Sequence, residues 1–140
     1  MTAVTNNLAI AQVLGSSPLI EVHVLGGVLR HGGNTLAGDA LIEGARAIGV
    51  DVLLMGIHAV TEGELTEAAP EVAAVKRGLL KAAASKRLLV DSSKFRPRTF
   101  MRVASVTELD EVISDEGMPT EEIERMRALG VKLTLVGVPP

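Results

Sequence analysis

Cysteine, tryptophan and tyrosine are absent from this 140-residue sequence, and phenylalanine occurs twice. Without cysteine the chain can form neither disulfides nor thiolate metal sites. With so few aromatic rings it has no platform on which successive bases could stack, which weakens any prediction of single-stranded nucleic-acid binding. The core must therefore be built from leucine, valine, isoleucine, alanine and methionine.

Positive charge is also scarce, because 14 lysines and arginines face 17 acids and the formal net charge is −3 at pH 7. A domain that held DNA phosphates by itself should carry a basic face. No apolar run approaches the roughly 18 residues of a membrane helix, and no basic-then-apolar signal segment opens the chain. We therefore expect a cytoplasmic chain with no membrane partner and no direct DNA contact of its own.

The hydrophobic share of 47% and the charged share of 22% are ordinary for a globular chain. The length fits one domain, which we predict to cover residues 1–140. Short apolar runs alternate with longer segments of helical periodicity. Strands are predicted at residues 20–25, 51–55, 88–90, 111–113 and 131–136, with a weaker candidate at 100–103. Helices are predicted at residues 6–14, 36–48, 70–84 and 120–130, and a polar loop at residues 57–69. The fold class is therefore α/β, with a mostly parallel sheet flanked by helices.

Polar groups and glycines follow the predicted strands, and loops beyond the carboxyl ends of parallel strands meet at one sheet edge. They are Gly26, Gly27, Arg30 and His31; Gly56 and His58; Asp91, Ser92, Ser93 and Lys94; Ser114 and Asp115. Glycines let backbone amides approach phosphate oxygens closely, and Lys94 adds a point charge. This mixture predicts a small anionic, hydroxylated ligand such as a sugar phosphate.

Plainer interpretations stand beside these predictions. The Gly26-Gly27 pair is not the spaced GxGxxG pattern and can be a turn only. Asp91 at a strand end can be a turn acid, although the hydroxyls and Lys94 beside it favour a site. Lys76 on its predicted helix is a surface group or reaches over the sheet edge.

Other polar residues carry no clear chemistry. The four acids Glu62, Glu64, Glu67 and Glu71 are interpreted as a solvated acidic loop. Three histidines without matched spacing predict no metal site. No nucleophile elbow, Walker loop or Ser/His/Asp arrangement is readable, so no catalytic residue is assigned.

Several motifs together resemble the C-terminal sensor domain of DeoR-type bacterial transcriptional regulators, over about residues 4–136. They are VTNNLAIAQVL (4–14), VHVLGGVLR (22–30), LAGDALIEGA (36–45), DVLLMG (51–56), AAVKRGLLKAA (73–83), VDSSKF (90–95) and LDEVISDEGMP (109–119). The DSSKF run after a strand, with VKR on the preceding helix and ISD on the next strand, is the specific combination.

This resemblance implies a fold similar to that of ribose-5-phosphate isomerase and coenzyme A transferases. It implies binding of a phosphorylated sugar or related metabolite, without cofactor or turnover, which alters DNA binding by an N-terminal winged helix-turn-helix. By resemblance the ligand site falls on Asn6, Gly26, Gly27, Gly56, His58, Lys76, Asp91 and Lys94, to which we add Arg30 and Ser92 from their positions after strands.

Two departures from the family pattern are expected to matter. The winged helix and a first strand ending in a Ser/Asp-Gly-Thr-Thr phosphate loop precede this region in the family, and we expect this chain to lack them. The edge left by the first strand predicts a homo-oligomer. The family's Gly-x-x-Gly-Ile-Asp motif reads GIHAVT at residues 56–61, without the acid that would hold sugar hydroxyls.

Three functions stay open at this point. A ligand-sensing domain is the first, and an oligomerisation module with a vestigial pocket is the second. A sugar-phosphate isomerase-like enzyme that uses Asp91, Lys94 and His58 is the third. We predict the sensing function.

Overall fold

A computed structural model of the protein describes residues 1–139. The chain forms two compact units, Met1–Ile48 and a second that begins at Gly49. The single domain expected over residues 1–140 stays a prediction. No helix within residues 1–139 combines the length and apolar character needed to cross a bilayer.

The first unit contains two short sheets and two helices. Its elements are β1 (Thr2–Thr5), α1 (Leu8–Gly15), β2 (Glu21–Val24), β3 (Val28–Leu29), β4 (Leu36–Ala37) and α2 (Asp39–Arg46). β1 pairs with β2 in parallel and β3 pairs with β4 antiparallel. The side chain of Asn7 caps α1, because its Oδ1 accepts the backbone N–H groups of Ala9 and Ile10 at 2.9 and 3.1 Å.

The helix predicted at residues 36–48 is wrong at its start. Leu36 and Ala37 form β4, and the helix begins at Asp39 after Gly38, whose φ is 108°. The backbone N–H of Leu36 donates to the carbonyl of Asn6 at 2.8 Å. This hydrogen bond and the pairing of β4 with β3 join residues that are distant in the chain. These tertiary contacts override the local helical periodicity at Leu36 and Ala37.

The second unit is built on a four-stranded parallel sheet. Its elements are β5 (Val50–Met55), β6 (Ala59–Thr61), β7 (Glu64–Glu67), α3 (Pro70–Ala82), β8 (Ala83–Leu89), β9 (Met101–Ser105), β10 (Glu111–Asp115), α4 (Thr120–Ala128) and β11 (Lys132–Val136). The strand order is β11-β10-β8-β5, and every pair is parallel. This confirms the predicted α/β class with a parallel sheet and helices.

One face of this sheet carries the core of the unit. Leu88 and Val112 of the sheet are fully buried in one cluster with Leu80 of α3 and Met126 of α4. Val52 and Leu54 alternate with the inward residues of β5 and are 45% and 63% exposed. The two helices therefore pack on the same face, and the opposite face of β5 stays accessible.

The polar loop predicted at residues 57–69 is wrong, because it forms a β-hairpin. β6 and β7 pair antiparallel across Glu62 and Gly63, whose φ angles of 52° and 82° suit a two-residue hairpin turn. β7 continues the pairing with β9, so the weak strand predicted at residues 100–103 lies in this antiparallel sheet and not in the parallel one. Leu65, on the β7 strand of the hairpin, is fully buried.

Two strands are longer than their apolar runs predict. β8 begins at Ala83, inside the segment expected to be helical, because residues from Ala83 onward pair with β5 from Val50 onward. β10 continues to Asp115, so Ser114 and Asp115 lie within the strand and not after it. Alanine favours helices locally, and only the neighbouring strand reveals the extended backbone.

Candidate functional site

The carboxyl ends of β5, β8 and β10 lie side by side in the second unit, so the loops that follow them are neighbours. The first loop holds Gly56 and His58, and the second holds Asp91, Ser92 and Lys94. A hydrogen bond of 2.6 Å from the backbone N–H of Ser92 to Asp115 Oδ2 joins the β8 loop to the end of β10. Three of the four strand ends that the sequence placed at one sheet edge are thus neighbours within this unit, whereas the fourth, before Gly26, belongs to the first unit.

The Asp-Ser-Ser-Lys run forms a capped 3-10 turn, Ser92–Lys94. The Asp91 carboxylate caps it by accepting the Ser93 backbone N–H at 2.9 Å and the Ser93 hydroxyl. These two bonds, the hydroxyl bond foremost, hold the pKa of Asp91 below its ordinary value. Asp91 is thus a turn acid, and its role toward a ligand stays a prediction.

The backbone amides of this turn are already occupied. Ser92 donates to Asp115, Ser93 to Asp91, Lys94 to the carbonyl of Asp91 at 3.1 Å and Phe95 to the carbonyl of Ser92 at 3.3 Å. A phosphate placed over the turn would therefore meet the Lys94 ammonium and not a row of free amides. The backbone amides that the sequence predicted to approach a phosphate are therefore not supplied by this turn.

Lys94 supplies the accessible positive charge of the turn. Its side chain is half-buried, and within residues 1–139 it forms no hydrogen bond or ion pair; Asp91 acts on it only through charge. The Asp91 carboxylate has acceptor sites beyond those that Ser93 uses. The turn therefore presents one cation for an anionic group beside one acceptor for hydroxyl groups.

Asp115 fixes the loops after β8 and β10. Its Oδ1 accepts the backbone N–H of Gly117 at 2.8 Å while Oδ2 accepts that of Ser92. A Cβ on Gly117 would lie 2.8 Å from Asp115 Oδ1 and 2.9 Å from Ser92 Oγ, so a side chain there would displace one of these two oxygen atoms. The sequence placed Asp115 at a strand end but gave it no role.

The free energy of unfolding at acidic pH should depend on the hydrogen bonds that the Asp115 carboxylate accepts. The N–H groups of Ser92 and Gly117 hold the pKa of Asp115 below its ordinary value. Asp115 thus stabilises the fold above about pH 4, and the contribution is lost as pH falls through the lowered pKa. We expect Asp115→Asn, which accepts one N–H fewer, to be less stable than the parent at pH 6, with a difference that shrinks toward pH 3. Denaturant unfolding followed by circular dichroism measures it.

Asp51→Asn is the control for this pH series. The Asp51 side chain is exposed and makes no hydrogen bond or ion pair among the residues that the structure describes. Its substitution should leave the difference from the parent flat between pH 6 and pH 3. A deficit for Asp115→Asn that grows in acid would contradict the assignment.

Lys76 is held by a buried acid that the sequence interpretation took for a solvated one. Glu67 is 7% exposed, and its carboxylate forms an ion pair with the Lys76 ammonium. The same ammonium donates to the carbonyl of Gly56 at 2.8 Å, and the backbone N–H of His58 donates to Glu67 Oε1 at 3.2 Å. Glu67 and Lys76 thus fix the loop after β5, and the interpretation of Glu67 as a solvated acid is wrong.

Arg96 also supports that loop, and no sequence signal identified it. Its Nε donates to the carbonyl of His58 at 2.9 Å, while the Thr61 hydroxyl donates to the carbonyl of Arg96 at 2.6 Å. Both contacts join the β5–β6 segment to the chain after the 3-10 turn. The predicted residues Gly56, His58 and Lys76 therefore share one hydrogen-bonded network.

The remaining predicted residues belong to the first unit. The Asn6 side chain donates to the carbonyl of Leu36 at 3.0 Å, which ties β1 to β4. A Cβ on Gly27 would lie 2.5 Å from the carbonyl oxygen of Ala37, whereas one on Gly26 would meet nothing within 4 Å. Arg30 lines an open depression of about 420 Å³ in the β3–β4 loop, together with Leu29, His31, Gly32, Gly33 and Asn34. Asn6 and Gly27 thus have structural roles, and their ligand roles stay predictions.

No group of three or more His, Asp or Glu side chains within residues 1–139 has the arrangement of a metal site. Two of the carboxylates at the sheet edge, Asp91 and Asp115, have lowered pKa values. They therefore stay ionised at neutral pH as hydrogen-bond acceptors. The edge offers cation, carboxylate and hydroxyl groups for binding.

Comparison with known proteins finds relatives among transcriptional regulators. The chain is 33% identical to the HTH-type transcriptional repressor GlcR of Bacillus subtilis (strain 168), over 81% of this chain and 44% of the repressor. It is 30% identical to the HTH-type transcriptional regulator GlpR of Haloferax volcanii, over 79% and 44% of the two chains. It is 26% identical to the glycerol-3-phosphate regulon repressor of Escherichia coli (strain K12), over 94% and 53%.

The chain spans about half the length of these curated relatives. The family described as DeoR C terminal sensor domain matches residues 1–116, which include β1 through β10 and every predicted site residue. The family match therefore covers most of this chain. The chain belongs to the family of DeoR C-terminal sensor domains.

Proposed function

We propose that the loops at the carboxyl ends of β5, β8 and β10 bind a small phosphorylated metabolite, and that the chain senses this effector for a transcriptional regulator. The observation that carries the proposal is Lys94, a half-buried cation that forms no ion pair within residues 1–139 and lies beside the Asp91 carboxylate. An ammonium is a point-charge partner for phosphate, and a carboxylate accepts hydroxyl groups. Together they suit a phosphorylated, hydroxylated carbon chain.

The names of the relatives support this class of ligand. One is a glycerol-3-phosphate regulon repressor, and two are HTH-type regulators. We infer that this chain responds to a sugar phosphate or a similar metabolite. DNA would then be contacted through a helix-turn-helix segment outside these 140 residues, and a cytoplasmic location stays a prediction.

The electrostatics of the edge favour binding over turnover. A general acid or base works best when its pKa lies near the operating pH. The hydrogen bonds to Asp91 and Asp115 move their pKa values down, away from neutrality. We therefore propose that the chain is not an enzyme. An aldose–ketose isomerase assay with the sugar phosphates that bind is expected to show no product, and turnover lost in Lys94→Gln would overturn this.

The binding prediction is tested by circular-dichroism melts of the 140-residue chain with a panel of sugar phosphates and glycerol 3-phosphate. A ligand at 100 times its Kd adds about 2.7 kcal/mol to the free energy of unfolding and raises the melting temperature by several degrees. Lys94→Gln is expected to weaken binding about tenfold, because a charge-assisted contact is lost.

Arg127→Gln is the matched control, because Arg127 is an exposed cation on α4. It should keep the full ligand-dependent shift of the melting temperature. If Lys94→Gln keeps the shift as well, or if no compound in the panel produces one, the site has been assigned to the wrong loops.

Homo-oligomerisation is a second proposed property, favoured by the exposed side of β5. β5 pairs only with β8 among residues 1–139, and five of its six residues are apolar. It lacks lysine, proline and a bulge, the features that usually protect an edge strand. Light scattering during size exclusion should give a dimer mass, and Leu54→Lys should return it to the monomer mass. A monomer for the parent chain would contradict the proposal.

A further inference from the structure

A second cavity of the second unit lies away from the strand-end loops. It is a groove of about 470 Å³ lined by Arg77, Leu80, Lys81, Lys86, Val103 and Glu108. These residues come from the second half of α3, from β8 and β9, and from the 3-10 turn Val106–Glu108. Its volume falls in the range of small-molecule sites, about 300–1,000 Å³.

Positive charge is in excess in this groove although the chain as a whole is acidic. Three cations face one acid, Glu108, whose carboxylate accepts the backbone N–H of Ser105 at 2.7 Å in a capping box. The ammonium groups of Lys81 and Lys86 form no hydrogen bond or ion pair with any other residue from 1 to 139. Their charges are therefore available to a ligand.

Arg77 is the positioned cation of the groove. Its NH1 donates to the carbonyl of Arg102 at 2.5 Å, which fixes the guanidinium against β9. A guanidinium has five N–H donors, so most of them stay available for an anion. Lys81 in the last turn of α3 also complements the carbonyl end of that helix, but this accounts for only one of the three cations.

The floor of the groove is apolar. Leu80 and Val103 are 7% and 6% exposed and lie beneath the three cations. We propose that this groove is a separate site for a small organic anion, with a phosphate or carboxylate on the cations and its carbon skeleton on Leu80 and Val103. Such a site goes beyond the proposed sensing of a metabolite by the strand-end loops.

The two sites cannot share one small ligand. Lys86 lies in β8 and Asp91 follows its carboxyl end, five residues later. At about 3.3 Å per residue the two positions are about 16 Å apart along the strand. An anion in the groove would therefore be detected separately from one at Lys94.

Titration of the ¹⁵N-labelled 140-residue chain with citrate, at constant ionic strength, tests the proposal by amide chemical shifts. We expect saturable shifts at residues 77–86 and 103–108. The double variant Lys81→Gln/Lys86→Gln should raise the half-saturating concentration at least tenfold, because two charged contacts are removed. The double variant Lys81→Arg/Lys86→Arg should retain binding, because it keeps both charges.

Two single variants that remove a cation outside the groove test whether citrate binding depends on the groove itself. Lys94→Gln and Arg127→Gln should leave the half-saturating concentration at residues 77–86 unchanged, whatever happens to the proposed effector site. The proposal is overturned if the double glutamine variant binds like the parent, or if citrate shifts only residues 91–96. It is also overturned if poly-glutamate shifts the groove amides and citrate does not, since the groove would then bind an acidic peptide.

Discussion

Glu67→Ala should lower the free energy of unfolding by about 3 kcal/mol, because it leaves the Lys76 ammonium without its buried partner. The side chains of Glu67 and Lys76 are 9% and 20% exposed, so water screens the pair only weakly. The substitution also removes the acceptor of the His58 backbone N–H. Denaturant unfolding followed by far-ultraviolet circular dichroism measures the loss, since the chain has no tryptophan or tyrosine to report by fluorescence.

Glu64→Ala is the matched control on the same strand. Glu64 pairs with Arg102 at 2.5 Å, but the two side chains are 38% and 58% exposed. Exposed ion pairs contribute about 0–1 kcal/mol, so this loss should be much smaller. Glu67→Gln, which keeps an acceptor oxygen, should fall between the two. Equal losses for the two alanine variants would show that Glu67 is not the buried partner of Lys76.

The Glu67–Lys76 pair also limits what Lys76 can do for a ligand. Its ammonium is shared between the Glu67 carboxylate and the carbonyl of Gly56. An effector phosphate would have to compete with both acceptors. Lys76 is therefore better placed to hold the loop after β5 than to provide the main positive charge for a ligand, a role that we propose for Lys94.

Gly27→Ala should destabilise the first unit by about 2 kcal/mol or more, through overpacking. The added Cβ would lie 2.5 Å from the carbonyl oxygen of Ala37 and 3.3 Å from the Cβ of Leu41. Both neighbours are buried, and the oxygen belongs to the backbone of β4, so the strand itself would have to move. A thermal melt followed by circular dichroism, together with the amide spectrum of residues 1–48, would show the loss.

Gly26→Ala provides the adjacent control. A Cβ there meets nothing within 4 Å, so the change should be neutral or stabilise by a few tenths of a kcal/mol through the unfolded chain. Comparison of the two alanine variants distinguishes a ligand-binding role of the Gly26-Gly27 motif from a packing role. If both variants are stable and only ligand binding suffers, the glycines serve the ligand. If Gly27→Ala alone unfolds, packing explains the second glycine.

The alternation of short strands and helices predicted the parallel sheet correctly. A strand that is buried between two neighbours consists of consecutive apolar residues, and such a run is recognisable from the local sequence. The hairpin at residues 59–67 was missed for the opposite reason. Its strands carry acids and threonines, and its burial comes from pairing with β9, more than thirty residues further along the chain. The turn residues Glu62 and Gly63 were the one local signal for it.

The candidate site shows the same division. Asp91, Ser92 and Lys94 were identified because they follow an apolar run, and they do lie at the carboxyl edge of the sheet. Glu67 was misjudged because its burial depends on Lys76 of α3, which no spacing reveals. Arg96 went unnoticed because its partner is a backbone carbonyl in the loop after β5, 38 residues earlier in the chain.

The sequence by itself determined the α/β class, the mostly parallel sheet and the resemblance to DeoR-type sensor domains. These features depend on hydrophobic periodicity and on short contiguous motifs, which can be recognised from neighbouring residues alone. Only the tertiary structure decided which polar groups are already satisfied. Hydrogen bonds occupy the amides after Asp91, an acid neutralises Lys76, and no partner within residues 1–139 neutralises Lys94. The reason is that charge and hydrogen-bond capacity are used up by contacts between residues far apart in the chain, which the order of amino acids does not display.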